Sequence, residues 1–321
     1  MSTNVRTPDI YRLWGYGEFA HICFESPGCR FHKAGYCVMC DYGAGQLIST
    51  EQAVMAVKRA FAEWNEPIKR ILLGTCGSIF DESEMPYESL FAVIGEIAKT
   101  DVESVIFETH YSTVKPELLQ EIVSRLPEKK IAIELGFESS DPDVLKYSLH
   151  KCMNLDELIK VIALIHKFNI SPILNVFLGA PGLNTKDQLA DALRSTHWAY
   201  EHGAEEVVIF PANVKPGTVL WKLLNGGMYE IPSGWLLVEM LQRLPDKELE
   251  ATSISWYGDR QYYGVDMDVF PPQTCEKCRD KLINFFFDFM KTFSASERRK
   301  LLRLILNGEK CDCRKQLIIS L

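Results

Sequence analysis

Short apolar runs alternate with longer amphipathic segments over most of the chain. The short runs are rich in β-branched residues and predict buried strands, whereas the longer segments repeat their apolar residues every three to four positions and predict helices. Six strands are predicted, at residues 19–24, 68–73, 104–107, 131–137, 172–178 and 206–210. Helices are predicted between them, at residues 53–64, 90–98, 116–125, 155–168 and 185–202.

This alternation predicts an α/β protein with a parallel sheet. Right-handed crossovers place the helices on one side of such a sheet, so we expect a partial (β/α)6 TIM-like barrel with its chemistry at the carboxyl ends of the strands. The pattern changes near residue 245, and an aromatic, glycine-punctuated loop follows at 256–264. The predicted organisation is an N-terminal extension at 1–17, a barrel core at 18–245 and a small cysteine-bearing C-terminal module at 246–321.

Composition narrows the class of protein. The 321 residues are 47% hydrophobic and 24% charged, which is typical of a globular chain with a sizeable core. The formal net charge of −8 opposes a broad nucleic-acid surface, because phosphate contacts need clustered Lys and Arg. The polar start has no signal-peptide pattern and no apolar run reaches the roughly 18 residues of a membrane span, so we expect a cytoplasmic protein.

Three cysteines follow the first predicted strand, at the end of the barrel where chemistry is expected. Cys29, Cys37 and Cys40 have the spacing C-x7-C-x2-C. Thiolates are preferred ligands of iron-sulfur iron, and a 4Fe-4S cluster held by three of them leaves one iron open to a ligand such as S-adenosylmethionine (SAM). The spacing alone also suits zinc with a distant fourth ligand, or thiols that pack as small apolar side chains. Ten cysteines in a chain without a secretion signal favour metal or redox chemistry over disulfides.

Further segments extend this motif in order along the chain. They are residues 77–82, 107–109, 135–139 and 213–218. Together with the three cysteines, the following Asp41-Tyr42-Gly43 and the paired C-terminal cysteines, they resemble the radical-SAM superfamily. Within it they resemble the branch that contains the Elongator catalytic subunit and the archaeosine-synthase radical-SAM subunit. The resemblance covers residues 18–315, and this context favours a cluster over zinc at the three N-terminal cysteines.

The resemblance implies how a cluster and SAM would be held. The three cysteines would bind three irons, and the SAM amino and carboxylate groups would bind the fourth. Met39 occupies a position that contacts adenine, and Gly74-Thr75 stands where related proteins carry a Gly-Gly-Glu-like segment for the SAM amino group. Glu108 would accept hydrogen bonds from the SAM amino group or ribose. Lys151 matches a basic position that meets the SAM carboxylate, and a solvated surface lysine is the alternative.

Other residues are candidates for the same pocket. Glu138 ends the fourth predicted strand, where a carboxylate is costly without a partner, and it is assigned to ribose or substrate binding. Asn175 lies on the fifth predicted strand before a glycine-rich turn, which suits either a ligand or a tight β-α turn. The candidates for the substrate pocket are His110, Tyr111, His150 and Asn213, with a structural role as the alternative. Three remaining thiols are expected to pack as apolar side chains: Cys23, Cys76 and Cys152.

The C-terminal module carries a second cysteine group. Cys275 and Cys278 form a C-x2-C pair, and Cys311 and Cys313 form a distant C-x-C pair. Four thiolates in two pairs suit tetrahedral zinc, which would stabilise a module with a thin core, and a second iron-sulfur cluster is the alternative. A nearby basic run is predicted to be a solvated helix face rather than an RNA site: Arg298, Arg299, Lys300 and Arg303.

The patterns and the resemblance together predict a radical SAM enzyme. It would cleave SAM reductively at the 4Fe-4S cluster and use the 5′-deoxyadenosyl radical to take hydrogen from a nucleoside-like or amino-acid-like small molecule in a biosynthetic pathway. An electron donor such as flavodoxin or ferredoxin is the expected partner. Two alternatives stay open: a tRNA-modifying lyase acting on a 7-deazaguanine-type base, and a non-catalytic zinc- or cluster-binding protein.

Overall fold

One sheet runs through the part of the chain that the computed structural model describes, which is residues 10–41, 45–255, 270–308 and 311–321. The aromatic loop predicted at 256–264 and the Tyr42-Gly43 part of the cysteine motif lie outside the described residues. The sheet has eight strands in sequence order. They are β1 Tyr11–Tyr16, β2 Phe19–Phe24, β3 Arg70–Thr75, β4 Ser104–Thr109, β5 Lys130–Glu138, β6 Ser171–Leu178, β7 Glu206–Pro211 and β8 Thr252–Ile254.

The sheet curls into a half-barrel, which confirms the partial α/β barrel predicted from the sequence. Strands β2 to β8 are parallel, and the six predicted strands are β2 to β7. Strand β1 lies within the segment that the sequence assigns to an N-terminal extension, and it pairs antiparallel with β2. The turn between them places Gly17 at a φ of 53°, a left-handed conformation that glycine adopts without steric cost.

Helices follow most of the strands. In the described residues they are α1 Arg30–Lys33, α2 Thr50–Glu63, α3 Tyr87–Ile97, α4 Pro116–Arg125, α5 Leu155–Lys167, α6 Thr185–Glu201, α7 Val219–Asn225, α8 Gly234–Arg243, α9 Asp246–Glu250, α10 Glu276–Met290, α11 Ala295–Gly308 and α12 Asp312–Ser320. The five helices predicted between the strands are α2 to α6. None of the helices in these ranges combines the length and apolarity that a membrane span requires.

Side-chain caps define where the main helices begin. Ser49 and Gln52 form a capping box at the start of α2: the Ser49 hydroxyl accepts from the Gln52 backbone N–H, and the Gln52 side chain accepts from the Ser49 N–H. Asn154 and Asn184 accept from backbone N–H groups in the first turns of α5 and α6. Each cap satisfies donors that the helix leaves unpaired, so the loops before the helices are held in place.

Side chains inside the barrel change from apolar to polar towards the carboxyl ends of the strands. A small interior cluster consists of Leu72, Ile106, Ala132, Ile173 and Val208. Because strand side chains alternate between the two faces, the residues two positions later point into the barrel one layer higher. That layer consists of Gly74, Glu108, Glu134, Asn175 and Phe210. It forms a mainly polar floor beneath the strand ends.

The C-terminal helices pack against the barrel. The buried side chains of Leu282, Phe286 and Phe289 on α10 belong to the same hydrophobic core as the outer face of the sheet and its helices. Helix α11 packs on α8, α9 and α10. The segment after residue 270 therefore shares its core with the barrel.

Arg298 on α11 is buried, which corrects the prediction that the basic run forms a solvated face. Its guanidinium donates to the backbone carbonyls of Leu249, Glu250, Thr252 and Thr292. These carbonyls lie at the end of α9, in β8 and after α10, where a buried acceptor needs a donor. The sequence shows the charge but not the carbonyls that converge on it.

We expect Arg298→Met to lower the free energy of unfolding by about 3 kcal/mol, because several buried carbonyls lose their donor and each unsatisfied acceptor costs roughly 1–3 kcal/mol. Urea denaturation measures the change. Arg303→Met, on the exposed face of the same helix, is the matched control and should change stability by less than about 0.5 kcal/mol. Equal effects of the two substitutions would contradict the buried role of Arg298.

Candidate functional site

The carboxyl ends of the strands open into a cavity of about 170 Å³, which we call the upper cavity. It lies above the polar floor and beside the loop that carries the three N-terminal cysteines. The structure brings ten of the predicted site residues to its lining: Cys29, Cys37, Met39, Cys40, Glu108, His110, Glu138, Lys151, Asn175 and Asn213. Residues that are far apart in the sequence thus meet at the end of the barrel where chemistry was expected.

Four of the residues predicted for the SAM and substrate pocket, all within the described part of the chain, lie outside the lining of the upper cavity. Gly74 faces into the barrel, and Thr75 is buried, where its hydroxyl donates to a carboxylate. Tyr111 Oη accepts a hydrogen bond from the backbone N–H of Asn154. His150 Nδ1 lies 3.1 Å from the backbone carbonyl oxygen of Gly35. These side chains support the walls of the site.

The cysteine loop is held by backbone hydrogen bonds. Helix α1 begins directly after Cys29. The N–H of Cys37 donates to the carbonyl of His150 at 2.8 Å, and the N–H of Val38 donates to the carbonyl of Leu149 at 3.0 Å. Cys37 has a φ of 65°, which is uncommon for a residue other than glycine and persists where the surroundings hold it. The loop is thus fixed to the segment that precedes Lys151.

A buried carboxylate that the sequence analysis missed ties three segments around Cys29. Glu84 accepts from the hydroxyls of Ser26 and Thr75 at 3.1 and 2.9 Å and from the backbone N–H of Ser78 at 3.0 Å. Burial raises the pKa of Glu84. A Cβ on Gly77 would lie 2.4 Å from Glu84 Oε1, so glycine is required for this approach. In the sequence, Glu84 resembled one more acidic residue of a solvated loop.

We expect Glu84→Gln to lower the free energy of unfolding by about 1–3 kcal/mol. The amide replaces one accepting oxygen by a donor, so it cannot accept from all three groups. Urea denaturation of the ligand-free chain measures the loss. Glu82→Gln, which changes an exposed neighbour in the same loop, should leave the midpoint nearly unchanged. An unchanged urea midpoint for Glu84→Gln would show that the three hydrogen bonds to Glu84 do not stabilise the fold.

Glu138 and Lys151 form a mostly buried ion pair at the edge of the upper cavity. Lys151 Nζ lies 3.0 Å from Glu138 Oε1, and the two side chains are 9% and 13% exposed. Lys151 is therefore not the solvated surface lysine considered as its alternative. Burial disfavours the Lys151 ammonium, but the Glu138 carboxylate outweighs it and raises the pKa of Lys151. A Cβ on Gly136 would lie 3.1 Å from Lys151 Nζ, so a side chain at this position would crowd the ion pair.

A second cavity of about 90 Å³, the inner cavity, lies inside the barrel below the first. Glu108 lines both cavities, and Glu134 is its register partner on β5. Burial raises the pKa of Glu108 to about 7 and that of Glu134 to about 8. Burial also lowers the pKa of His21 to about 3, so this histidine is neutral. The sequence analysis missed Glu134, although a glutamate between Ile133 and Leu135 in an apolar strand was a usable signal.

We expect Glu134→Gln to flatten the pH dependence of stability. The folded chain keeps the Glu134 proton up to about pH 8, whereas the unfolded chain releases it near pH 4.5. The contribution of Glu134 is therefore fully present below pH 4.5 and is lost as the pH rises through the folded value. As the pH rises from about 5 to about 8, the free energy of unfolding of Glu134→Gln should increase relative to that of the wild type by on the order of a few kcal/mol. Urea denaturation at several pH values measures this difference. If the free energies of unfolding of the wild type and of Glu134→Gln changed equally with pH across this range, the raised pKa of Glu134 would be contradicted.

The four C-terminal cysteines converge on one point. Their sulfur atoms all lie within 4.8 Å of one another, and they could hold a metal ion. The Cys275 and Cys311 sulfurs are 3.2 Å apart, and Cys313 Sγ lies 3.6 Å from both Cys275 Sγ and Cys278 Sγ. Hydrogen bonding from the Cys311 thiol lowers the pKa of Cys275 to about 7. The two pairs meet because α10 begins after Cys275 and α12 begins after Cys311.

The remaining thiols divide into two kinds. Cys23 and Cys76 are buried, as expected of packing residues. Cys152 is exposed and lines the upper cavity, so the expectation that it packs as an apolar side chain is wrong. Cys152 directly follows Lys151 in the chain, and both residues line the upper cavity.

Comparison with known proteins gives similarities over most of the chain, although no protein-family model matches it. The chain is 25% identical over 299 residues to archaeosine synthase subunit beta of Methanosarcina acetivorans, covering 92% of this chain and 82% of that protein. It is 25% identical over 244 residues to archaeosine synthase subunit beta of Thermococcus kodakarensis, covering 73% and 75% of the two chains.

Solved structures share the fold. A radical SAM methyltransferase from Sphaerobacter thermophilus has a TM-score of 0.55 and 14% identity, covering 83% of this chain and 81% of that one. Elp3 of Methanocaldococcus infernus, with its N-terminus deleted, has a TM-score of 0.54 and 12% identity over 85% of this chain and 64% of that one. This chain therefore has the fold of the radical SAM enzymes, and it resembles the branch that contains archaeosine synthase subunit beta and Elp3.

Proposed function

We propose that this protein is a radical SAM enzyme that acts on a small-molecule substrate. The observation that carries the proposal is that Cys29, Cys37 and Cys40 line one cavity at the strand ends together with the buried Glu138–Lys151 pair. When bound, a 4Fe-4S cluster and SAM supply one electron and a 5′-deoxyadenosyl radical that takes a hydrogen atom from the substrate. The chain itself binds, orients and shields the reactants.

The donor set of the cysteine loop fits an iron-sulfur cluster. Three thiols on a loop held by backbone hydrogen bonds supply soft ligands, which is the ligand type that such clusters take. Three thiolates would leave the fourth iron of the cluster without a protein ligand and open to the amino and carboxylate groups of SAM. Glu84 orients the segment before Cys29 through Ser26 and so acts as a positioning residue.

The charges around the upper cavity fit SAM. Lys151 presents a buried ammonium that suits the SAM carboxylate, and Glu138 presents a carboxylate that suits its amino group or ribose. Asn175 Oδ1 is buried and has no hydrogen-bond partner in the described structure, so it offers an acceptor to a ligand. Met39 provides an apolar contact for adenine at the cavity wall. We propose Lys151, Glu138 and Met39 as the SAM contacts, and Asn175 as an acceptor for a ligand in the same pocket.

A small-molecule substrate is favoured by the surface of the chain. The net charge is −8, and Arg298 is buried inside the protein. Arg299 donates to the Asp246 carboxylate and to the backbone carbonyls of Gln242 and Leu244. The most basic helix therefore uses two of its cations to join elements of the protein rather than to contact phosphates.

The second candidate function is tRNA modification by a lyase that acts on a 7-deazaguanine-type base. The similarity to two proteins named archaeosine synthase subunit beta favours it. Affinity for tRNA at increasing salt distinguishes the two functions, because phosphate contacts make binding fall steeply with salt. Steep loss of tRNA affinity would select the tRNA function, and an absence of tRNA binding at low salt would select the small molecule.

We propose zinc at the four C-terminal cysteines. Zinc–sulfur bonds of about 2.3 Å separate tetrahedral thiolates by about 3.8 Å. Three of the sulfur pairs are 3.2 to 3.6 Å apart and all four sulfurs lie within 4.8 Å of one another, which comes near that value. A 4Fe-4S cluster binds each thiolate to a different iron and needs a wider arrangement. A protein that held only zinc at this site and no iron elsewhere would be the non-catalytic alternative.

Reductive cleavage of SAM tests the proposal. The protein is purified without oxygen, reconstituted with iron and sulfide, and incubated with dithionite and SAM, and 5′-deoxyadenosine is measured by mass spectrometry. We expect its formation in the wild type. The proposal fails if no 5′-deoxyadenosine forms in protein that holds a full complement of iron. In the cytoplasm, flavodoxin or ferredoxin would take the place of dithionite.

A further inference from the structure

The inner cavity contains more acidic than basic side chains. Glu108, Glu134 and Glu206 line it, and the arginine in its described lining is Arg70. The Arg70 guanidinium lies 2.5 Å from a Glu206 oxygen, so the two side chains form an ion pair. His21 is neutral because burial lowers its pKa to about 3. Glu108 and Glu134 therefore have no charged ion-pair partner among the described residues that line the inner cavity. Lys151 and Lys215, which line the upper cavity, favour the charged form of Glu108 but do not lie in the inner cavity.

Two buried polar atoms around these carboxylates have no partner in the described structure. They are Asn175 Oδ1 and His21 Nε2, on side chains that are 4% and 7% exposed. The Asn175 amide hydrogen-bonds the Glu134 carboxylate, and this leaves its oxygen open. His21 Nε2 is 3.9 Å from Glu108 Oε2, which is too far for a hydrogen bond. A buried acceptor without a donor costs roughly 1–3 kcal/mol, so such atoms indicate a missing ligand.

The four groups share one chemistry. Beside a bound cation both carboxyl groups lose their protons, because positive charge lowers a carboxyl pKa. Two carboxylates and an amide oxygen then accept hydrogen bonds, and a neutral imidazole accepts at Nε2 when Nδ1 carries the proton. A ligand that satisfies them must supply several N–H donors and positive charge. Ammonium and guanidinium groups supply both, and charge-assisted hydrogen bonds to carboxylates are the stronger kind.

We propose that Glu108 and Glu134, with Asn175 and His21, bind an organic cation of ammonium or guanidinium type that forms part of the substrate. This inference rests on the function proposed above, since it names the substrate class of the same site. The volume of about 90 Å³ holds a small cationic head group. Glu108 and Phe210 line both cavities, so the cation lies in the inner one while the rest of the substrate extends into the upper one.

Glycine at position 74 keeps the space for this contact. A Cβ there would lie 2.9 Å from Glu108 Oε2 and 3.1 Å from His21 Nε2. The same two atoms face the inner cavity. A larger residue would push both groups aside, so the geometry of the acceptors depends on this position.

Binding of methylguanidinium tests the inference. The anaerobically purified protein with its cluster is titrated with methylguanidinium and, separately, with the uncharged isostere methylurea, and binding is followed by ligand-observed NMR. We expect millimolar binding of methylguanidinium and at least tenfold weaker binding of methylurea. Glu134→Gln should weaken methylguanidinium at least tenfold, whereas Glu117→Gln on the exposed surface should not change it. If Glu134→Gln does not fold, Asn175→Leu removes the open acceptor and should also weaken binding.

Three outcomes overturn the inference. They are equal binding of the two probes, unchanged binding in both site variants, and displacement of methylguanidinium by SAM, which would assign the acceptors to the SAM ammonium. If the protein forms 5′-deoxyadenosine but does not bind methylguanidinium, the proposed function stands and the cation site is refuted. A protein that binds methylguanidinium but never cleaves SAM loses the proposed function, and with it the assignment of the cation to a substrate.

Discussion

Replacing Cys37 with alanine is expected to remove the iron-sulfur cluster and abolish 5′-deoxyadenosine formation while the fold remains. Two thiolates would not hold a cluster that three are proposed to bind, and the Cys37 side chain lines the upper cavity rather than filling the core. The backbone hydrogen bond from Cys37 to His150 does not depend on the side chain. We therefore expect iron content and SAM cleavage to fall to background, with a change in unfolding free energy below about 1 kcal/mol.

The matched control is Cys152→Ala. Cys152 also lines the upper cavity and is exposed, but it lies outside the C-x7-C-x2-C motif. Its replacement should leave iron content and 5′-deoxyadenosine unchanged. If Cys37→Ala retained both, or if Cys152→Ala lost both, the assignment of the cluster ligands would be wrong.

The second large effect is expected at the C-terminal cysteines. Cys313→Ser should remove the zinc proposed at this site and lower the free energy of unfolding by roughly 3 kcal/mol or more, because a structural zinc site contributes its binding energy to the folded state. Cys313 is only partly buried, so the loss of its sulfur opens little core. Metal analysis and urea denaturation measure the two quantities.

The two cysteine substitutions should act independently. Cys313→Ser should keep its iron, and Cys37→Ala should keep its zinc, since the two groups lie on different segments and Cys313 lies outside the lining of the upper cavity. Addition of a zinc chelator to the wild type should reproduce the stability loss of Cys313→Ser. Iron and sulfide in place of zinc at the C-terminal group would show that it holds a second cluster instead.

The sequence predicted the barrel because each strand and helix had its own periodic pattern. β2 to β7 are buried apolar runs, and α2 to α6 have a polar face that marks their period. β1 was missed because Arg12 and Gly15 interrupt its apolar character. α8 was also missed, although its polar residues Glu239, Gln242 and Arg243 lie on one face of the helix.

The site was predicted as far as local motifs reach. The three N-terminal cysteines stood out by their spacing, Glu138 by its unexpected charge and Lys151 by the family resemblance, and the fold brings them to one cavity. Glu84 could not be found from the sequence, since its role comes from three groups that only the fold assembles. Gly74 and Thr75 were placed at the cavity by analogy of position, but strand alternation turns Gly74 into the barrel and Thr75 towards Glu84.

The open corner of the cluster is the central claim, and electron-nuclear double resonance tests it most directly. The protein is reduced without oxygen in the presence of SAM that is isotopically labelled at its amino nitrogen. The account predicts a hyperfine coupling between that nitrogen and the cluster, absent when unlabelled SAM is used. A reduced cluster that shows no coupling to the label would contradict it, because SAM would then not occupy a coordination position on the iron.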